Sequence, residues 1–157
     1  MGENHENQEN GLLMEIQCPG KGEVLAILRH FVCSVAEAMG FCKEEIAKIE
    51  ISVDEACSNV VCHAYEKTRP DHPDMPGSLI RIAIKAASDH LQITIMDDGV
   101  GLRDGPHCGV HNLEEYKNRG HGLGTYIIKK FMDKVDISHP EGSGTIVSMV
   151  KFLPPSE

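Results

Sequence analysis

The stretch IEISVDEACSNVVCHAYE, residues 49–66, is where the chain declares its fold. Ile46, Ile49, Val53, Ala56, Val60 and Ala64 recur every three or four residues, so the spacing predicts an amphipathic helix from about Lys43 to Tyr65. Glu44 and Glu45 suit its positive N-terminal end. Along the same helix Glu55, Asn59 and His63 stand at i, i+4 and i+8, which puts three polar side chains in one stripe on an otherwise apolar element. Such a stripe has two readings. It is a solvated face, or it is chemistry, with Glu55 a base and Asn59 a carbonyl ligand to a metal ion.

Downstream, TRPDHPDMPGS (residues 68–78) carries three Pro, a Gly and two Asp and reads as a surface connection. LIRIAIKA (79–86) and HLQITIMD (90–97) alternate apolar and polar residues around the short turn Ala87-Ser88-Asp89, a hairpin. Asp97 falls in phase with Leu91, Ile93 and Ile95, so it is expected on the apolar face, where a carboxylate requires a hydrogen-bond donor. An amino group of a bound purine would be one such donor. Asp97-Asp98-Gly99-Val100-Gly101 is otherwise a tight turn, its glycines permitting positive φ or close backbone approach. Residues 99–122 then contain six glycines and little apolar periodicity, a loop long enough to suggest a role of its own. It ends in Gly120-His121-Gly122-Leu123-Gly124, directly before a helix expected over 123–133, where free backbone N–H groups and the positive helix end favour a phosphate. The run is no P-loop, since Gly-Lys-Ser/Thr occurs nowhere, and it follows a loop where a dinucleotide fingerprint would follow a strand. The HRD and DFG signatures of protein kinases are absent as well.

Upstream, LLMEIQC (12–18) alternates like a half-buried strand that Pro19 and Gly20 would end. Val24, Ile27, Leu28, Phe31, Val35 and Met39 mark a helix over residues 22–39, with Gly40 at the capping position. Strands at 135–139 and 145–152 close the chain, and the polar residues 1–11 are expected to be a disordered tail before a single domain over 12–153. The predicted fold class is α/β: a two-layer sandwich with one mixed, mainly antiparallel sheet of about five strands and three main helices on one face.

Composition narrows the functions. With 157 residues the chain has room for one real core, and its net charge of −9 opposes a nucleic-acid role resting on a broad basic surface. No stretch reaches the roughly 18 apolar residues of a membrane span, the N-terminus lacks the order of a secretory signal, and Glu6 stands where a myristoylation motif has Ser or Thr. A cytoplasmic protein is expected. The six cysteines form no CxxC pair and fit reduced thiols, a disulfide framework being the alternative.

Glu-x-x-x-Asn on a helix, Asp-x-Gly-x-Gly after a strand and Gly-x-Gly-x-Gly before a helix, in that order, resemble the GHKL (Bergerat-fold) ATPases. Residues 49–66 and GHGLGTYIIKKFMDKV (120–135) are most similar to the serine-protein kinases of that superfamily that act as anti-sigma factors, of the stress-response anti-sigma-B type. The resemblance runs from about Met14 to Phe152. It implies ATP and Mg²⁺ as cofactors, Glu55 as general base, Asn59 as Mg²⁺ ligand, Asp97 at the adenine amino group and residues 102–121 as an ATP lid. It further implies nucleotide contacts from His63, Gly99, Gly101, Arg119, Gly120, His121, Gly122, Leu123, Gly124 and Thr145. Its partners would be a STAS-domain anti-anti-sigma protein, phosphorylated on serine, and a sigma factor, with a homodimer formed through the sheet, no membrane and no direct nucleic-acid binding. Arg29 is expected on the exposed side of the first helix, solvated or facing a partner. His107, Cys108 and His111 supply too few ligands in a lid to favour a metal site, and His30 lacks the Glu and Pro that follow a histidine-kinase phosphoacceptor. Two other functions fit parts of the pattern: a non-catalytic binding module gated by nucleotide, and the ATP-binding domain of a split histidine kinase.

Overall fold

A computed structural model describes residues 11–19, 22–65, 79–97, 123–138, 140 and 144–155. Strand β1 (Leu12–Pro19) leads into helices α1 (Gly22–Ala38) and α2 (Lys43–Tyr65). The hairpin β2 (Leu79–Ala86) and β3 (His90–Asp97) follows, then helix α3 (Leu123–Phe131) and strands β4 (Lys134–Ser138) and β5 (Ile146–Phe152). The sheet order is β1-β2-β3-β5-β4, and every neighbouring pair is antiparallel. The sheet expected to be mixed is thus antiparallel throughout the described residues. β5 inserts between β3 and β4, a long-range pairing that local periodicity does not specify.

Alternation decides which sheet face is covered. Ile80, Ile82 and Ile84 of β2, Leu91, Ile93 and Ile95 of β3, and Val147 and Met149 of β5 are buried on one face. Against them lie Leu28, Val32 and Ala36 of α1, Ile49, Val53 and Ala56 of α2, and Ile128 with Met132 at α3. Each fully buried Leu or Ile contributes about 1.5–3 kcal/mol by leaving water, which makes this layer the main source of stability. The opposite face is partly open, with Leu13, Leu79 and Phe152 exposed.

Three local expectations need correction. Ile27 is 68% exposed; the fully buried residues of α1 are Leu28, Val32 and Ala36, with Val24, Phe31, Val35 and Met39 packed against the core beside them. β1 runs one residue past Cys18 and includes Pro19 as its last residue, paired with Leu79. An edge strand tolerates the missing N–H. The third helix stops at Phe131, two residues early, because Asp133 N turns to donate to Val150 O (2.9 Å) and the chain enters β4. Gly40 meets its expectation: its φ is +92°, Gly40 N donates to Glu37 O and Phe41 N to Ala36 O, a Schellman cap closed by the buried Phe41 ring.

Candidate functional site

α2 divides its circumference among three neighbours. Ile49, Val53 and Ala56 face the sheet core. Glu50 and Asp54 face α1, where Arg29 reaches them at 3.4 and 3.1 Å. Arg29 is therefore an interhelical ion-pair residue, its side chain only 29% exposed, and not a free surface cation. The third face carries Glu55 and Asn59, both half-buried, one turn apart.

What covers that third face is the start of α3. A Cβ on Gly124 would lie 2.5 Å from Glu55 Oε2 and 3.2 and 3.4 Å from Asn59 Nδ2 and Oδ1. A methyl group there would have to displace the end of the Glu55 side chain and press on Asn59, so glycine lets the helix N-terminus come this close with both side chains where they are. The polar stripe is thus turned toward a packed helix end and is not a solvated face. The first N–H groups of a helix lack an intrahelical acceptor, so a helix start of this kind offers backbone donors. A carboxylate, a carboxamide oxygen and a field of backbone donors converge. That donor set suits a nucleotide phosphate with Mg²⁺, a hard cation that takes oxygen ligands and keeps several waters, so a single carboxamide oxygen is an adequate protein share.

The buried side of α2 beneath the site is inert. Ser52 Oγ is satisfied by donating to Lys48 O (2.8 Å). Burial first, then the nearby Asp54 and Cys18, pushes the Cys57 thiol up to about 12, so it stays protonated at neutral pH. Cys18, Cys33, Cys42 and Cys57 are all free thiols, as the reduced reading expects. Exposed His30 contacts Ala26 O of its own helix (Nδ1 to O, 2.6 Å).

The other expected site residues are placed as follows. Leu123 opens α3 and is 59% exposed. Thr145 is half-buried immediately before β5. Asp97 closes β3 opposite Ile80, and His63 lies in the last turns of α2; the side chains of both fall outside the described residues. Gly99, Gly101, Arg119, Gly120, His121 and Gly122 also lie outside them, as do His107, Cys108, His111 and the tail 1–10. Among the described residues no three His, Cys, Asp or Glu side chains converge as a metal cluster, and no helix is long and apolar enough to cross a membrane.

One charged cluster escapes a motif-based reading. Lys151 sits on the core-facing side of β5, in phase with Val147 and Met149, and is 8% exposed. Its ammonium lies 2.7 Å from Glu45 Oε2 and donates to Phe131 O (3.0 Å) and Asp133 Oδ1 (3.3 Å). Asp133 Oδ2 accepts from Phe152 N (2.8 Å). Lys48 pairs with Glu44 and Glu45 at 3.0 and 2.7 Å. Lys151 first and Lys48 second hold the Glu45 carboxyl below its ordinary value of 4.5. The signal was present in the sequence as a charge in the inward phase of an alternating strand.

Comparison with known proteins agrees with this geometry. The pattern of the histidine kinase-like ATPase domain family matches residues 18–151. Serine-protein kinase RsbW of Bacillus pumilus is 33% identical over 149 residues, covering 90% of this chain and 86% of the relative. RsbW of Halalkalibacterium halodurans is 31% identical over 147 residues, covering 89% and 83%. Among solved structures, the SiaB–SiaC complex of Pseudomonas aeruginosa contains a chain that superposes with a TM-score of 0.63 at 15% identity, covering 92% of this chain and 90% of that one, a likeness of fold.

Proposed function

The chain belongs to the histidine kinase-like ATPase domain family, and from that premise we propose that it is an ATP- and Mg²⁺-dependent protein serine kinase acting as an anti-sigma factor. In this reading it phosphorylates a serine of a STAS-domain anti-anti-sigma protein and sequesters a sigma factor, in the cytoplasm, as a homodimer formed through the sheet. The observation that carries the nucleotide site is the contact of Gly124 with Glu55 and Asn59. The RsbW relatives, which are named serine-protein kinases, support the reaction.

In this reading each residue has a task. The N-terminus of α3 binds the phosphate chain through backbone N–H groups, with Gly120, His121, Gly122, Leu123 and Gly124 as its loop. Asn59 Oδ1 would hold Mg²⁺, which would supply neutralisation of the phosphate charge. Glu55 accepts the proton of the incoming serine hydroxyl as its oxygen bonds to the γ-phosphorus and the bond to the bridging oxygen breaks, releasing ADP. Asp97 receives the adenine amino group, with His63, Gly99, Gly101, Arg119 and Thr145 completing the nucleotide contacts.

Labelled ATP, Mg²⁺ and a lysate of the source organism test the proposal, with acid treatment separating phosphoserine, which survives, from phosphohistidine, which does not. An acid-stable label on a small protein, lost with Glu55→Gln while ATP still binds, is the expected outcome. No label despite ATP binding would leave a nucleotide-gated binding module, and an acid-labile label a split histidine kinase.

A further inference from the structure

We infer that Lys151 is a positioning residue for the nucleotide site, fixing how far α3 reaches along α2 and hence where Gly124 meets Glu55 and Asn59. The inference rests on the proposed nucleotide reading for its consequence, though not for its geometry. α3 begins beside Glu55 and Asn59 and ends at Phe131, whose carbonyl is held by the same ammonium that contacts Glu45 near the start of α2. The two helices therefore lie antiparallel and are joined at both ends. From Glu45 to Glu55 α2 rises about 15 Å, while α3 rises about 10 Å from Gly124 to Phe131, and the extended lysine side chain makes up the difference.

A helix of nine residues is too short to hold its own place. Ile128 and Met132 press it to the core, and polar bonds add direction to that packing. At its N-terminal end Gly124 offers no side chain to lock it. Directional bonds hold its C-terminal end: Lys151 Nζ to Phe131 O and Asp133 Oδ1, Asp133 N to Val150 O, and Phe152 N to Asp133 Oδ2. Of these groups only the lysine also reaches α2.

The test uses the nucleotide-free protein and then ATP. In Lys151→Met the backbone amide resonance of Gly124 and the side-chain amide of Asn59 are expected to move while core methyl resonances such as Ile93 stay. ATP affinity is expected to fall about tenfold, equivalent to about 1.4 kcal/mol of lost phosphate contacts. Adding Glu45→Gln removes the carboxylate that has lost Lys151 and keeps only Lys48, so the double variant should recover part of the melting temperature but neither the Gly124 resonance nor the affinity. Lys151→Arg keeps the charge with a longer head and serves as the folded variant should Lys151→Met fail to fold, with the same two resonances displaced. Undisturbed Gly124 and Asn59 resonances in a folded variant, or their recovery in the double variant, would overturn the inference and leave Lys151 a stabilising residue only. Absence of ATP binding by the wild type would remove the nucleotide reading while the resonances still decide the role of Lys151.

Discussion

The two ends of α2 both carry polar side chains toward α3 and its neighbours, and they are completed in different ways. At the N-terminal end Glu44 and Glu45 are met by Lys48 and Lys151, and Asp133 adds a second carboxylate to Lys151. Two ammonium groups meet three carboxylates there, and the cluster ties three elements together. At the other end Glu55 and Asn59 face the bare backbone of Gly124, and among the described residues no cation pairs with Glu55. The first cluster is met by cations of the protein itself, whereas on the proposed reading the second set keeps its acceptors for a bound nucleotide with Mg²⁺.

The contrast is broken most directly by Glu55→Gln. Loss of a general base costs about 10²–10⁴ in rate, so phosphotransfer should fall by that order while unfolding and ATP binding remain near wild type. An equal loss of melting temperature would make Glu55 an anchor like Glu45. Gly124→Ala sharpens the point with one methyl group. In an open helix Ala is favoured over Gly by about 1 kcal/mol, but here the methyl meets Glu55 Oε2, and overpacking costs about 1–3 kcal/mol. Transfer should drop with no gain in stability; a stabilised, fully active variant would show that α3 does not press on Glu55.

At the anchored end Glu45→Gln should cost about 1 kcal/mol at neutral pH, read by denaturant titration. Its folded carboxyl titrates below the unfolded value near 4.5, so the stabilisation is complete above that value and is lost as pH falls through the folded one. The gap between wild type and variant should therefore close in acid. A gap that persists at low pH would place the effect in packing. The smallest change is expected from Arg29→Ala, whose partly exposed ion pairs with Glu50 and Asp54 are worth at most about 1 kcal/mol and should weaken with salt.

Much of the layout was legible beforehand because it depends on local spacing. The extent of α2, the hairpin of β2 and β3, and the cap at Gly40 follow from periodicity and from glycine's tolerance of positive φ. The core stripe of α1 was misjudged at Ile27, since several apolar residues around that helix compete for the buried side and only the sheet beneath it chooses. Arg29 looked like a surface charge for the same reason: its partners lie 21 and 25 positions away.

The sequence by itself determined the elements, their apolar faces and the residue types of the candidate site, because helix and strand periods and glycine chemistry act within a few neighbouring residues. Tertiary structure alone decided that β5 lies between β3 and β4, that Lys151 joins β5 to α2 and the end of α3, and that Gly124 abuts Glu55 and Asn59. Those contacts join residues far apart in the chain. They exist only once burial of the common core has brought the elements to one another.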